Sequence, residues 1–466
     1  MKNKIIILST VLSCLMLGGC GTRMKYKSPD IPTANLYRDY NDTVAVATGE
    51  NFSTLAWDEL FTDPNLQELI HKALSNNTDM RTAQLQVEQA EAALKSARLA
   101  FLPSFNLSPQ GTVSSWDTGK ANHTYSLPVI ASWEIDVFGM ISNSKKRSEA
   151  VHEQSMEYTQ AVRTWLIATV SNTYYTLLML DAQHEVSERT AESWKENVRV
   201  MKALKSVGMA TEAAVAQAGA NYMAVETSLF ELRNQIYEIE NTLCLLLAES
   251  PHSIQRGNIR DFTLEHDLTV GLPVQLLTNR PDVRMAELTL QQSFYSLGEA
   301  KEALWPSLTL SGSAGWTNEA GSMILNPGKF LAAAVGSVTA PIFNAGANKA
   351  RVKIAESQLE ETYLNFEQTV LNAGAEVINA LKQIETASCK TSYSTEQIAL
   401  LETAVISTEL LMNHGNNTYL EVLTAQQALL NAELSQIADR FEMIQGTINL
   451  YHALGGGQQN WDEEKG

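Results

Sequence analysis

Residues 282–310 open Asp282-Val283-Arg284-Met285-Ala286-Glu287 and close Ala303-Leu304-Trp305-Pro306-Ser307-Leu308-Thr309-Leu310. They restate, at an offset of 203, the stretch from Asp79-Met80-Arg81-Thr82-Ala83-Gln84 to Ala100-Phe101-Leu102-Pro103-Ser104-Phe105-Asn106-Leu107. Farther on, Gly208 and Gly415 occupy matching points of two long helical stretches, at an offset of 207. A chain that repeats one unit must solve the same packing problem twice, so its architecture is legible before its function.

Outward from the Pro-Ser motifs the hydrophobic period is two. Phe105, Leu107, Gly111 and Val113 alternate with Ser104, Asn106, Gln110, Thr112 and Ser114, and the return strand alternates again from Tyr125 to Val137. The second copy supplies Leu308, Leu310, Gly312, Ala314 and Trp316, then a return strand from Phe330 to Phe343 whose alternation is poor. The expected β-hairpins are therefore 104–137 and 307–343. Strands of about 9 to 11 residues cross a membrane at a tilt, although a hairpin of a soluble sheet has the same pattern. Four strands cannot close a membrane barrel, whose smallest members have about eight. An open edge in lipid would leave backbone groups without partners. Several chains must then share one barrel, and three chains would bring twelve strands.

The other segments lack helix breakers. Residues 140–207 contain neither Gly nor Pro, and 347–414 are interrupted only by Gly374; 68 residues as a helix would reach about 100 Å. The partner helices show a coiled-coil seam. It runs Leu423, Gln427, Leu430, Leu434, Ile437, Phe441, Ile444, Ile448 and Tyr451 in one copy, and Tyr222, Val225, Leu229, Leu232, Ile236, Ile239, Leu243 and Leu246 in the other. The spacing predicts antiparallel helical hairpins turning at Gly208 and Gly415.

The start of the chain is a targeting segment: Lys2 and Lys4, an apolar run from Ile5 to Leu17, then Leu17-Gly18-Gly19-Cys20. This resembles a bacterial lipobox, with 1–19 the signal and Cys20 the lipidated first residue. The apolar run is too short for a membrane span. One acyl chain anchors weakly, so a second membrane element is expected elsewhere in the chain. Losing Lys2 and Lys4 takes the formal charge from −18 to −20, an acidic balance that argues against nucleic acid. Cys14 leaves with the signal; Cys244 and Cys389 remain, both expected on helices as packed thiols rather than as a bridge or metal ligands. There is no HExxH, GxGxxG or phosphate loop, and Ser311-Gly312-Ser313-Ala314-Gly315 lacks the first glycine of a nucleophile elbow. The chain is expected to be no enzyme and to hold no cofactor.

With these features in place, several motifs carry a resemblance. They are the lipobox, Asp63-Pro64-Asn65-Leu66, the doubled Pro-Ser motifs, Trp133-Glu134-Ile135-Asp136-Val137-Phe138-Gly139, Ala340-Pro341-Ile342-Phe343-Asn344-Ala345-Gly346 and Leu450-Tyr451-His452-Ala453-Leu454-Gly455-Gly456-Gly457. The chain resembles the TolC-type outer-membrane efflux proteins, in the lipoprotein branch that serves resistance-nodulation-division pumps. The resemblance implies an α+β membrane protein: a homotrimer with a 12-stranded β-barrel continuous with a 12-helix periplasmic α-barrel, and a small equatorial domain. The implied girdle is drawn from Asn51 to Pro64, Pro251 to Leu272 and the tail after Gly455. The corresponding divisions are 20–62 as the lipidated extension, 63–250 as the first repeat, 251–272 as the equatorial linker, 273–454 as the second repeat and 455–466 as the tail.

The implied function is that of an exit duct which passively conducts small molecules such as drugs or metal ions after docking to a periplasmic adaptor and an inner-membrane pump. A duct for protein secretion served by an ABC transporter, and a lipid-anchored coiled-coil scaffold without a pore, are the alternatives. In this family the helix turns meet the adaptor, which assigns Val207, Gly208 and Met209 and, in the second copy, His414, Gly415 and Asn416. The aperture departs from the family pattern Tyr-Leu-x-x-Leu-Asp-Ala-Gln-Arg. Leu420 is kept, but Thr424 replaces the carboxylate and Gln427 the guanidinium. Cation block at the closed end is then expected to be weak, with Glu421 a neighbouring charge turned away by about 100°.

Overall fold

The computed structural model describes residues 25–29, 55–115, 119, 121–262, 280–318, 329–413 and 419–457. The helices are α1 (Trp57–Leu60), α2 (Pro64–Asn76), α3 (Thr78–Leu99), α4 (Met140–Ser206), α5 (Glu212–Leu246), α6 (Pro281–Glu302), α7 (Ala347–Asn413) and α8 (Tyr419–Ala453). The strands are β1 (Ser104–Leu107), β2 (Gln110–Ser114), β3 (Asn122–Ile135), β4 (Ser307–Asn318) and β5 (Lys329–Thr339). The duplication is kept in element length: α3 and α6 have 22 residues each, α4 and α7 have 67, and α5 and α8 have 35.

Local chemistry sets the helix starts. Asp63 caps α2 by accepting from the Asn65 N–H at 2.8 Å, with Pro64 in the first turn, where a missing N–H costs nothing. The Asn77 side-chain oxygen accepts from the N–H groups of Asp79 and Met80 to start α3. Thr211 does the same for α5 through Ala214.

The chain folds as two compact units, and α3, α4, α7 and the first residues of α6 contribute to both. One unit comprises residues 85–156 and 284–368 with the short N-terminal segment. It contains one antiparallel sheet in the order β1-β3-β4-β5, with β2 also paired to β3. Beneath the strands, Leu297 and Ala300 of α6 pack against Ala355 of α7, with Val352 and Leu359 around them. At the N-terminal segment, the Tyr26 ring meets Phe294 edge-on at 5.6 Å.

Two details of the strands differ from the reading of the sequence. The first strand is divided at Ser108-Pro109, although β1 and β2 keep one register on β3, from Ser104↔Ser132 to Ser114↔Asn122. Pro109 and Pro128 lie almost opposite each other and neither has an N–H, so the ladder thins there; only Ser108 N donates across, to Pro128 O. The second return strand ends at Thr339 rather than Phe343, because Pro341 cannot continue it.

The other unit comprises 55–84, 157–283 and 369–457 within the described residues. Its helices bury the expected seam. Val186, Ala191 and Trp194 of α4 pack on Val225 and Leu229 of α5 and Leu430 of α8, with Tyr222, Leu434 and Ile437 at the margin. Full burial of Val186, Val225, Leu229 and Leu430 contributes about 1.5–3 kcal/mol each. The segment 251–262 lies along these helices. Arg256 donates to Asp181 at 2.5 Å and pairs with Glu240, and the Tyr174 hydroxyl donates to Asp63 at 2.5 Å while accepting from Gly257 N. Thr164 donates to the Gly456 carbonyl, and Gln160 and Arg163 donate to that of Gly457. Of the two thiols, Cys244 is buried on α5, but Cys389 on α7 is exposed, contrary to the expectation that both are packed. The helix face that carries Cys389 points away from the stripe of Ala380, Ile384 and Ala387.

Candidate functional site

The sheet is amphipathic in register. Cross-strand partners share a face, and the pairs Leu107↔Val129, Leu127↔Trp316, Trp133↔Leu310, Trp316↔Phe330 and Leu308↔Val338 place large apolar groups side by side. Nearly all of them are exposed, along with Phe105 and Val113. Trp316 and Phe330 meet edge-on at 5.6 Å. The other face carries Ser, Thr and Glu134, interrupted by Ile130 on β3 and by Leu331 and Val335 on β5. Among the described residues, β1 and β2 on one side and β5 on the other have no further strand to pair with. A sheet with an exposed apolar face and two free edges is unfinished as a soluble surface.

The first helix turn is built for exposure. Gly208 adopts φ +79° with nothing within 4 Å of where a Cβ would lie, and Met209 N donates to Leu204 O at 2.9 Å to close the helix end. Val207 and Met209 on either side are both exposed, and Lys205 pairs with Glu212 across the turn. His414, Gly415 and Asn416 lie outside the described residues.

Of the aperture residues, Leu420, Glu421 and Thr424 are exposed on α8 and Gln427 is half-buried. Thr424 spends its hydroxyl on Leu420 O at 2.8 Å, and Gln427 donates to Asn431 on its own helix at 3.2 Å. Neither reaches another helix in the chain. The polar side chain that does is one the sequence reading passed over. Gln426 is buried, accepts from Asn197 of α4 and donates to Glu409 of α7, both at 2.9 Å. Two turns farther, Arg189 of α4 donates to Glu433 of α8 at 2.6 Å. Burial and the nearby Glu402 push the Glu433 carboxyl up, against the pull of Arg189. The only signal in the sequence was the heptad itself, in which Gln427 took the seam position that Gln426 fills in space.

The junctions where strands meet helices are also polar. Asp136, just past β3, accepts from the N–H groups of Gly139, Ile141 and Ser142 and from the Ser142 hydroxyl, which caps α4. Asn143 donates to Glu302 at the end of α6 at 2.8 Å, and Arg147 donates to Glu299 at 2.9 Å. Asn348 of α7 donates to Ala303 O at 3.0 Å. Phe138 and Trp305 stack at 5.5 Å beside them. No cluster of three His, Cys, Asp or Glu side chains able to hold a metal ion occurs among the described residues, and no described helix is long and apolar enough to cross a membrane.

The family profile described as outer membrane efflux protein matches residues 69–249 and 272–456. The chain is 27% identical over 448 residues to the cation efflux system protein CusC of Escherichia coli O6:H1, covering 96% of this chain and 97% of that one. It is 27% identical over 480 residues to the toluene efflux pump outer membrane protein TtgC of Pseudomonas putida, covering 99% and 96%. Its fold superposes on the open-state crystal structure of the MtrE outer membrane channel of Neisseria gonorrhoeae with a TM-score of 0.83, at 26% identity over 93% of this chain and 98% of that one.

Proposed function

The chain belongs to the outer membrane efflux protein family, and from that membership we propose that it is the exit duct of a tripartite efflux system. Three copies close one twelve-stranded barrel in the outer membrane, and their long helices enclose the periplasmic passage. The observation that carries this reading is the sheet: its free edges β1/β2 and β5 and its apolar face need a membrane and further strands of the same kind. The relatives are named for cation and toluene efflux, which supports a small-molecule or metal-ion cargo over a secreted protein. The duct is passive. Energy comes from an inner-membrane pump of the resistance-nodulation-division type, reached through a periplasmic adaptor. The lipid on Cys20 is the second anchor beside the barrel.

The adaptor meets the helix turns at Val207, Gly208 and Met209 and at His414, Gly415 and Asn416. Exposed apolar groups around a glycine with open space above it suit close backbone approach. Thr424 and Gln427 leave the aperture without the family's charged ring, so divalent cations at the tip have no carboxylate at those positions to bind. Purified protein in a planar bilayer should conduct ions as a trimer, and a protein that never conducts would leave only the scaffold reading. Gly208→Trp should still yield a conducting trimer yet abolish export in cells. Normal export by that variant would remove the first turn from the docking surface.

A further inference from the structure

We propose that the pocket formed by Gly139, Asn143 and Glu302 is a proton-binding site that ties the end of α6 to the start of α4. The Glu302 side chain is enclosed: the residue is 6% exposed, Oε1 accepts one bond from Asn143, and Oε2 is buried without a hydrogen-bond partner. Asn143 is 3% exposed. Both side chains fit because two glycines make room for them. A Cβ at Gly139, which adopts φ +107°, would lie 2.9 Å from Glu302 Oε1, and a Cβ at Gly298 would lie 2.6 Å from Asn143 Nδ2.

An ionised carboxylate in this place would have one hydrogen bond where it can accept several, and burying it so is costly. A neutral carboxylic acid keeps the bond from Asn143 and escapes the larger cost of a buried charge. The charges around it point the same way. Asp136 faces it from the β3–α4 connection and Glu299 from its own helix, and both disfavour a further negative charge; Lys146 of α4 opposes them. Glu299 is itself held by Arg147, and Lys146 lies 5.4 Å over the Tyr295 ring. From α7 the polar group at this end is Asn348, which donates to Ala303 O. A metal ion is not the fitting ligand, since no three ligating side chains gather among the described residues.

Burial first, then Asp136 and Glu299, push the Glu302 carboxyl up to about 7. The folded chain therefore holds this proton a few hundred-fold more tightly than the unfolded chain, by roughly one decade per pKa unit. The sign follows from linkage. Stability from this group is fully present below the ordinary glutamate value, and is lost as pH rises through about 7. Acidification of the periplasm then firms the joint between strands and helices, and alkaline conditions loosen it. The residues all belong to one chain, so docking of further copies or of an adaptor is not needed.

The experiment is an infrared titration of the full-length purified protein, with amide hydrogen exchange read at residues 140–147 and 299–303 and corrected for intrinsic pH dependence. The expected result is a carboxylic C=O band that disappears with a midpoint near pH 7, is absent from Glu302→Gln, and is tracked by faster exchange in both segments at higher pH. Glu302→Gln should exchange slowly at every pH. A band lost below pH 5.5, or an unchanged pH dependence of exchange in the variant, would overturn the proposal. If Glu302→Gln does not assemble, Glu302→Asp serves: its band should persist with a shifted midpoint, and an identical titration would count against the site. None of these readouts depends on conduction, so their failure leaves the duct reading standing.

Discussion

The two strand–helix junctions of this chain are copies of one another, yet they are finished differently. At the offsets of the repeat, Glu302 corresponds to Leu99, Asn143 to Ala350 and Asp136 to Phe343. In one junction the pair Glu302 and Asn143 is buried and hydrogen-bonded inside the chain. In the other, Leu99 is 52% exposed, Phe343 88% and the adjacent Ile342 97%. The same geometric contact is thus filled within the chain by polar groups and left open, in apolar chemistry, where the chain ends its own supply of helices. The exposed Leu99, Ile342 and Phe343 mark the surface that the proposed trimer would cover: there, α3 of one copy against the start of α7 of the next would reproduce what α6 and α4 do internally.

The strongest way to break this comparison is to charge the open junction. Phe343→Asp should reduce trimer content more than tenfold in size-exclusion light scattering, while Glu302→Gln should leave the trimer intact; equal trimer content in the two would refute the assignment. Cysteines at Leu99 and Ala350 should cross-link between copies, giving dimer and trimer bands on a non-reducing gel.

Next in size is the comparison of the two junction glycines. Gly139→Ala puts a Cβ against Glu302 at φ +107°, whereas Gly346→Ala, at φ +80°, meets nothing within 4 Å. The first should cost about 2–4 kcal/mol and the second about 1 kcal/mol, strain alone, by denaturant unfolding of the solubilised protein. Asn143→Ala should fall between them, at about 1–3 kcal/mol, because it strips Glu302 of its one bond. It should also raise the pH at which that carboxyl titrates, since Asn143 is the bond that lowers it.

The smallest effects lie in the ion pairs that flank each junction. Arg147→Ala breaks a 2.9 Å contact to the mostly buried Glu299, and Arg98→Ala a 3.9 Å contact to Glu149. Exposed pairs contribute about 0–1 kcal/mol, so the first should cost a few tenths of a kcal/mol more than the second. A reversed order would mean that the α3 side of the junction is tighter than its exposure implies.

Much of this was legible because it follows from periodicity. The long gaps without Gly and Pro became the paired 67- and 35-residue helices, and the alternation around each Pro-Ser motif became β1 to β4. The turn at Gly208 was marked by the glycine that a left-handed helix end requires. What failed were questions of phase and partner. Gln426 rather than Gln427 bridges the helices, because a heptad read from sequence does not fix which of two adjacent glutamines faces a third helix. Cys389 emerged on the open face of α7 for the same reason. The division of the first strand depended on two prolines meeting across a ladder whose register only the pairing reveals.

The sequence by itself determined the duplicated unit, its element lengths and the amphipathic strands, since these rest on local spacing and backbone chemistry that act within a few residues. Only the tertiary structure decided that β3 and β4 join the two hairpins into one sheet, that Gln426 links three helices, and that Glu302 is shut in with Asn143 while Leu99 and Phe343 stay open. Those outcomes depend largely on contacts between residues more than a hundred positions apart, where two copies of one pattern offer equivalent partners and only packing chooses between them.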